Sequence, residues 1–156
     1  MEKQTNVEII QQAYADFAAG DIAAITEKCT DDVSWGSYEN PDIPYAGMFY
    51  GKPGVMEFFS RIANTIDYTD FSPKEYFNDD ARDAVFVRGY HAAKVKSTGK
   101  TFSHDWLMEF YSREGKMYSF FVFVDSHDQA KAFSSPDENV VRVSLSNKKE
   151  ETIAHA

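Results

Sequence analysis

Thr101 to Asp125, TFSHDWLMEFYSREGKMYSFFVFVD, is the stretch that most narrows what this chain can become. It reads as two long strands joined at Arg113-Glu114-Gly115-Lys116, because two strand-like runs split by a short Gly-containing turn are the sequence form of a hairpin. The first run sets Phe102, His104, Trp106, Met108 and Phe110 on one face, with Ser103, Asp105, Leu107, Glu109 and Tyr111 on the other. The second is almost wholly apolar or aromatic from Met117 to Val124 and stops at an acid, Asp125. A strand that is apolar on both faces is covered on both. The hairpin is expected to form the floor of a core, with a cavity above it.

Composition enters as a bound on that picture. The chain has 156 residues, enough for one domain with a substantial core and no staples. Thirteen Phe and nine Tyr supply bulky wall material. A net charge of -9 argues against nucleic acid and against an anionic membrane surface, since either would require a concentrated basic patch, and none is visible. The single cysteine, Cys29, can form no internal disulfide, which is compatible with a cytoplasmic address. The first residues, MEKQTNVEII, lack the basic region and apolar run of a secretion signal, and no apolar run reaches the length of a membrane span.

Residues 5 to 19 are expected to be helical, with Ile9, Ile10, Ala13, Tyr14 and Phe17 forming one apolar stripe, Thr5 and Glu8 at capping-box spacing and Gly20 as a stop. Asp21 is placed to cap a second short helix in which Ile22, Ile25 and Cys29 face inward. Val33 to Tyr38 reads as a strand. The Pro- and Gly-containing stretch from Glu39 to Gly51 reads as an irregular loop, too apolar to stand free in solvent. Residues 53 to 66 carry a clear helical stripe through Val55, Phe58, Phe59, Ile62, Ala63 and Ile66. Phe71 to Asn78 and Ala84 to Val95 read as strands, and a hairpin turn at Ser97-Thr98-Gly99-Lys100 leads into the central hairpin. A short helix follows at Ser126 to Phe133. Residues 134–156 read as a polar tail with a weak strand signal at 140–145, so the domain is drawn at 1–133. The order of elements is an α+β plan, three helices on one face of a strongly curved antiparallel sheet, which leaves a cone whose mouth admits a small ligand.

The segments AYADFAAGD (13–21), DDVSW (31–35), IPYAGMFYGKPGVMEFF (43–59) and EGKMYSFFVFVDSHDQAKAF (114–133) resemble the SnoaL-like, ketosteroid-isomerase-related branch of the nuclear transport factor 2-like superfamily. The resemblance spans about residues 6 to 133 and implies the cone-shaped fold of that superfamily. It is less specific for activity, because the superfamily holds isomerases, polyketide cyclases, epoxide hydrolases, dehydratases and members that only bind. Steroid isomerases place a tyrosine, a base and a protonated aspartic acid at three positions. Here Tyr14 stands one residue out of register, with Ala13 in its place, and Ser37 and Trp106 occupy the other two, which argues against classical steroid isomerisation. Polyketide-cyclase-like and limonene-epoxide-hydrolase-like members carry an aspartate at the end of the last long strand, and Asp125 resembles it. Arg88 resembles the hydrolase arginine, but Tyr90 stands where a second acid belongs.

The candidate catalytic residues are therefore Asp125, His104, Arg88 and Tyr90. The expected pocket lining is Tyr14, Phe17, Trp35 and Phe58 from the helices and first strand, with Trp106, Met108, Phe121 and Phe123 from the hairpin. A carboxylate at the rim of an aromatic cavity is partly desolvated and suited to acid-base work. The alternative reading of Asp125 is a helix cap for 126–133, that of His104 a hydrogen-bonded wall residue, and that of Tyr14, Phe17 and Trp35 core packing. His91 and His104 have no third ligand at recognisable spacing, so no metal is expected, and no cofactor is implied. Two function classes stand open. One is a cofactor-independent enzyme of isomerase, cyclase or hydrolase type acting on an apolar, oxygen-bearing ring compound. The other is a non-catalytic module that binds such a compound or dimerises. The resemblance also implies a homodimer through the outer sheet face, for which Tyr111, Tyr118, Phe120, Val122 and Val124 are the expected apolar surface.

Overall fold

The computed structural model describes residues 3–135, so the weak strand signal at 140–145 and nearly all of the polar tail lie outside the described residues. The first helix, α1 (Asn6–Ala18), begins where the capping box requires. The Glu8 N–H donates to the Thr5 hydroxyl at 3.1 Å, and the Glu8 carboxylate accepts from the Thr5 N–H at 2.9 Å. Ile9, Ile10 and Ala13 form its buried face. Asp21 caps α2 (Ile22–Glu27), accepting from the Ala24 N–H at 3.1 Å.

Strand β1 (Cys29–Gly36) starts four residues before Val33. Cys29, expected on a helix, is drawn into the sheet by a partner remote in sequence: it pairs in parallel with Met117, whose N–H donates to the Lys28 carbonyl at 2.8 Å. The loop that follows contains a short strand, β2 (Met48–Tyr50), paired antiparallel to β1, and leads into α3 (Gly51–Thr65). Strand β3 (Ile66–Asp79) begins directly after α3, five residues before Phe71, because Ile66 to Tyr68 pair with Val95 to Ala93. A 3₁₀ turn (Asp80–Arg82) connects it to β4 (Ala84–Val95), followed by β5 (Thr101–Arg113), β6 (Lys116–Phe123) and α4 (Ser126–Phe133).

The six strands lie in the order β2-β1-β6-β5-β4-β3, an antiparallel meander from β3 to β6 with β1 laid parallel beside β6. Register shifts in the β3–β4, β5–β6 and β1–β6 ladders bend the sheet. Helices α1, α2 and α3 cover the concave face, and α4 returns across β4 and β5 as a fourth cover. The architecture is the curved α+β cone.

A bulge in β6 sets which residues face inward. The hairpin turns through Glu114 and Gly115, both at positive φ (49° and 79°), the form a two-residue turn needs to match strand twist. Arg113 pairs with Lys116 and Ser112 with Met117, but Tyr111 pairs with Ser119, so Tyr118 is left over. From there Phe110 stands opposite Phe120 and Met108 opposite Val122. One extra residue exchanges the two faces of a strand. Phe120 and Val122 are consequently buried in the core, where Trp35 stacks on Phe120 at 4.3 Å between ring centroids. Phe121 and Phe123 turn to the outer face, where Tyr38 packs against both. This corrects the expected outer surface: Phe120 and Val122 are interior, Val124 lines the interior as well, and Leu107, Phe121 and Phe123 take their place outside.

Candidate functional site

Between the helices and the concave sheet lies a cavity of about 290 Å³. Its floor is Met108, Phe110, Phe120 and Val122 of the hairpin, and its roof carries Tyr14 and Phe17 of α1 and Phe58 of α3. The loop before β2 closes over the mouth with Asn40, Ile43 and Tyr45, which accounts for its apolar content. Loop and α4 are fastened together, since the buried Tyr45 hydroxyl donates to Gln129 Oε1 at 2.7 Å.

Polar groups gather where β4, β5 and α4 meet. His91 and His104 are directly paired across the β4–β5 ladder on its inner face, with their Nε2 atoms 3.0 Å apart. Two facing lone pairs would repel at that distance, so a proton lies between them. Nδ1 of His104 is 2.9 Å from Oδ2 of Asp128, and a carboxylate there accepts, so His104 carries hydrogen on Nδ1. Asp128 Oδ2 also accepts from the Ser103 N–H at 3.1 Å. Gln129 is oriented by Tyr45, which leaves its amide N–H groups to face the histidines, 3.2 Å from Nε2 of His104 and 3.5 Å from Nε2 of His91. His91 lines the cavity, and its Nδ1 is buried with no hydrogen-bond partner among the described residues.

The setting separates the roles of these groups. Burial, with His104 as a second cause and Asp128 opposing, pushes His91 down to about 3, so its ring stays neutral near pH 7. Asp128 is the outer end of the chain, its side chain 35% exposed against 8% for His104. Burial holds the hydroxyl of Tyr68 protonated far above its ordinary range, with no hydrogen bond contributing, and its ring lies 5.7 Å from that of His91. Burial, and secondarily the neighbouring Tyr68, does the same to Tyr45.

Of the four candidate catalytic residues, only His104 belongs to this cluster. Asp125 is exposed and caps α4, accepting from the Asp128 N–H at 3.0 Å. The chain leaves the sheet there, and Asp125 is not among the residues that line the cavity. Arg88 and Tyr90 alternate onto the outer face, because His91 and Gly89 take the inner one. Arg88 Nε donates to Glu75 at 2.7 Å, and Lys74 sits 5.5 Å over the Tyr90 ring. The structure therefore does not bring Asp125, Arg88 and Tyr90 together with His104.

Among the expected lining residues, Tyr14, Phe17, Trp35, Phe58 and Met108 line the cavity. The hydroxyl of Tyr14 meets the Met108 sulfur at 3.1 Å. Trp106 is displaced behind the wall, stacked on Phe71 at 5.3 Å. Phe121 is outside, and Phe123 reaches only the rim.

His91, Asp128, Gln129, Tyr45 and Tyr68 escaped the sequence reading as site residues. A signal for His91 existed in the hairpin arithmetic. The loop is Lys96–Gly99, closed by the Val95 N–H donating to the Lys100 carbonyl at 2.8 Å, one residue earlier than expected. Moving a loop by one residue moves every cross-strand partner by two, and the earlier loop makes 91 and 104 partners. The α4 residues carried no comparable signal, since nothing local says which part of the sheet a short helix will meet.

With this geometry in place, the chain can be set beside known proteins. It is similar to an NTF2-like protein of Burkholderia xenovorans, with a TM-score of 0.76 and 25% identity over 86% of this chain and 99% of that one. It is similar to TerC, co-crystallised with polyporic acid, with a TM-score of 0.74 and 24% identity over 83% and 98%. A provisionally assigned polyketide cyclase of Pseudomonas putida matches at a TM-score of 0.67 and 16% identity over 85% and 100%. No curated protein matches the chain. No helix among the described residues is long and apolar enough to cross a membrane. The family model described as the SnoaL-like domain matches residues 10–120, a span that includes both histidines and stops before Asp128 and Gln129. The chain belongs to the SnoaL-like domain family, built on the NTF2-like fold.

Proposed function

We propose that this protein binds an apolar, oxygen-bearing ring compound in its cavity and acts on it by acid-base chemistry without a cofactor, as an isomerase, cyclase or related enzyme. The observation that carries the reading is the hydrogen-bonded chain Asp128–His104–His91, which starts at a partly open carboxylate and ends on an aromatic cavity wall. An aromatic lining favours a flat apolar body, and the few polar groups at one end fix its orientation. His91 is the residue that would touch the ligand, and His104 and Asp128 act through it. A proton-transfer group of this kind contributes roughly 100-fold to 10,000-fold to rate when positioned within hydrogen-bond reach.

The test is a thermal-shift screen of ring compounds followed by cofactor-free incubation of the hits with product analysis. A compound that prefers the native state raises apparent stability. The expected result is turnover of at least one hit that His91→Phe abolishes while binding persists. Binding without turnover of any hit would instead favour the second reading, a carrier or binding module on the same fold. The same reading has two copies pair through the outer sheet face around Leu107, Phe121 and Phe123, which light scattering would register as a doubled mass.

A further inference from the structure

The unpartnered Nδ1 of His91 restricts what the cavity can take. If the proton between the two histidines sits on His91 Nε2, then Nδ1 of His91 holds a lone pair aimed at buried, apolar surroundings. Burying such a group without a partner is costly, and the complementary ligand is a hydrogen-bond donor. The ring of Tyr68, another residue of the cavity wall, lies 5.7 Å from that of His91 between centroids, and burial keeps its hydroxyl protonated as a donor. An unpartnered nitrogen and a phenol on neighbouring rings of one cavity wall are complementary to a ligand oxygen that carries an acidic hydrogen.

We infer that the ligand is a hydroxyaryl or enolic ring compound whose O–H proton is taken at His91 Nδ1 and stored as charge on the His104–Asp128 pair. The inference rests on the pocket reading above and deepens it. In the step, the ligand O–H bond breaks and its proton bonds to His91 Nδ1. The Nε2–H bond of His91 breaks, and that proton bonds to His104 Nε2. His104 becomes an imidazolium that donates through Nδ1–H to the Asp128 carboxylate, and the ligand oxygen keeps the electron pair as an oxyanion that accepts from the Tyr68 hydroxyl. His91 begins and ends neutral and only changes tautomer. That resolves the difficulty its burial creates, since a ring held down to about 3 is a poor base by itself, whereas the charge passes to a ring whose Nδ1 lies 2.9 Å from the Asp128 carboxylate.

The groups packed against the pair are consistent with this. Asp128 and Gln129 come from α4, Tyr68 from β3 and Tyr45 from the loop, so Asp128 is the charge nearest the histidines and the others are neutral donors or acceptors. Before transfer a Gln129 amide N–H faces the His104 Nε2 lone pair at 3.2 Å, a contact that the arriving proton displaces. His104 and Asp128 are positioning residues, and His91 is the group that meets the ligand.

The probes are 4-nitrophenol, whose anion absorbs at a longer wavelength than the neutral form, and 4-nitroanisole, of similar shape but with no O–H. With the full chain at a pH below the solution pKa of 4-nitrophenol, the inference expects the phenol to bind about tenfold or more tightly than the ether and to show the phenolate band. His104→Asn and Asp128→Asn should each lose that band while binding 4-nitroanisole as the wild type does, a result that simple loosening of the fold would not produce. Equal binding of both probes, with the phenol still neutral, would overturn the inference and leave the pocket reading standing. So would a phenolate band undiminished in both variants. If neither probe binds, the pocket reading itself falls, and the inference with it.

Discussion

His91 on β4 and His104 on β5 meet across the ladder with their Nε2 atoms 3.0 Å apart, and the first is walled in by Tyr68, Phe71, Phe102 and Trp106 while the second reaches the carboxylate of Asp128. The pair thus spans a step in environment, from a dry cavity wall to a partly open acid. That step is what sets the surroundings of the two rings apart.

The same step gives the fold a defined acid limb. His91 has a folded-state pKa near 3 against an ordinary value of 6.5, so between those values the unfolded chain binds a proton that the folded one does not. Stability is then fully present above about pH 6.5 and falls as pH drops toward 3, by on the order of a few kcal/mol. Urea titrations at several pH values should show this slope, and His91→Phe should flatten it between pH 6.5 and 4. An unchanged slope in the variant would mean that His91 is not the group responsible.

Asp125 should prove a structural residue. Asp125→Ala removes the side chain that accepts from the Asp128 N–H and should cost about 1 kcal/mol in denaturant unfolding. Asp125→Ser, which can still cap, should keep both stability and ligand affinity close to wild type. A loss of turnover in Asp125→Ser comparable to that in His91→Phe would return Asp125 to the chemistry.

Tyr45 and Gln129 should be energetically coupled. Tyr45→Phe leaves a buried amide oxygen without its donor, at a cost of about 1–3 kcal/mol. Once Gln129→Leu has removed that oxygen, adding Tyr45→Phe should cost much less, so a double-mutant cycle measures the contact that ties the loop to α4. Strict additivity would show that the contact contributes nothing.

The inward parity of β6 can be read from a pair of truncations. Phe120→Ala should cost roughly 3–5 kcal/mol, whereas Phe121→Ala, on the outer face, should cost about 1 kcal/mol. The reverse order in chemical denaturation would mean that the strand carries no bulge.

Gly89 should not tolerate a side chain. A Cβ there would come within 2.3 Å of the Trp106 ring and 2.6 Å of the Ser72 carbonyl oxygen, and neither the packed indole nor the neighbouring strand can withdraw. Gly89→Ala should destabilise by about 1–3 kcal/mol or more, seen as a lower urea midpoint. A midpoint equal to wild type would show that Trp106 has room to move.

What the amino-acid order determined alone is the set of elements that local physics can write. The Thr5–Glu8 capping box, the apolar stripes of α1 and α3, the turn at Glu114-Gly115 and the alternation of β5 depend on neighbours a few residues away, and they stand where the sequence placed them. Only the tertiary structure decided three other things. The leftover Tyr118 shows itself only when β6 is laid against β5, and it exchanged Phe121 and Phe123 for Phe120 and Val122 on the inner face. The parallel pairing with Met117 pulled Cys29 from helix to strand. The docking of α4 set Asp128 and Gln129 against two histidines from a different hairpin and turned Asp125 outward as a cap. The last two depend on contacts between residues 24 to 88 positions apart, and the bulge on the register of β6 against β5, whose energies exist only once the sheet and helices have closed on one another.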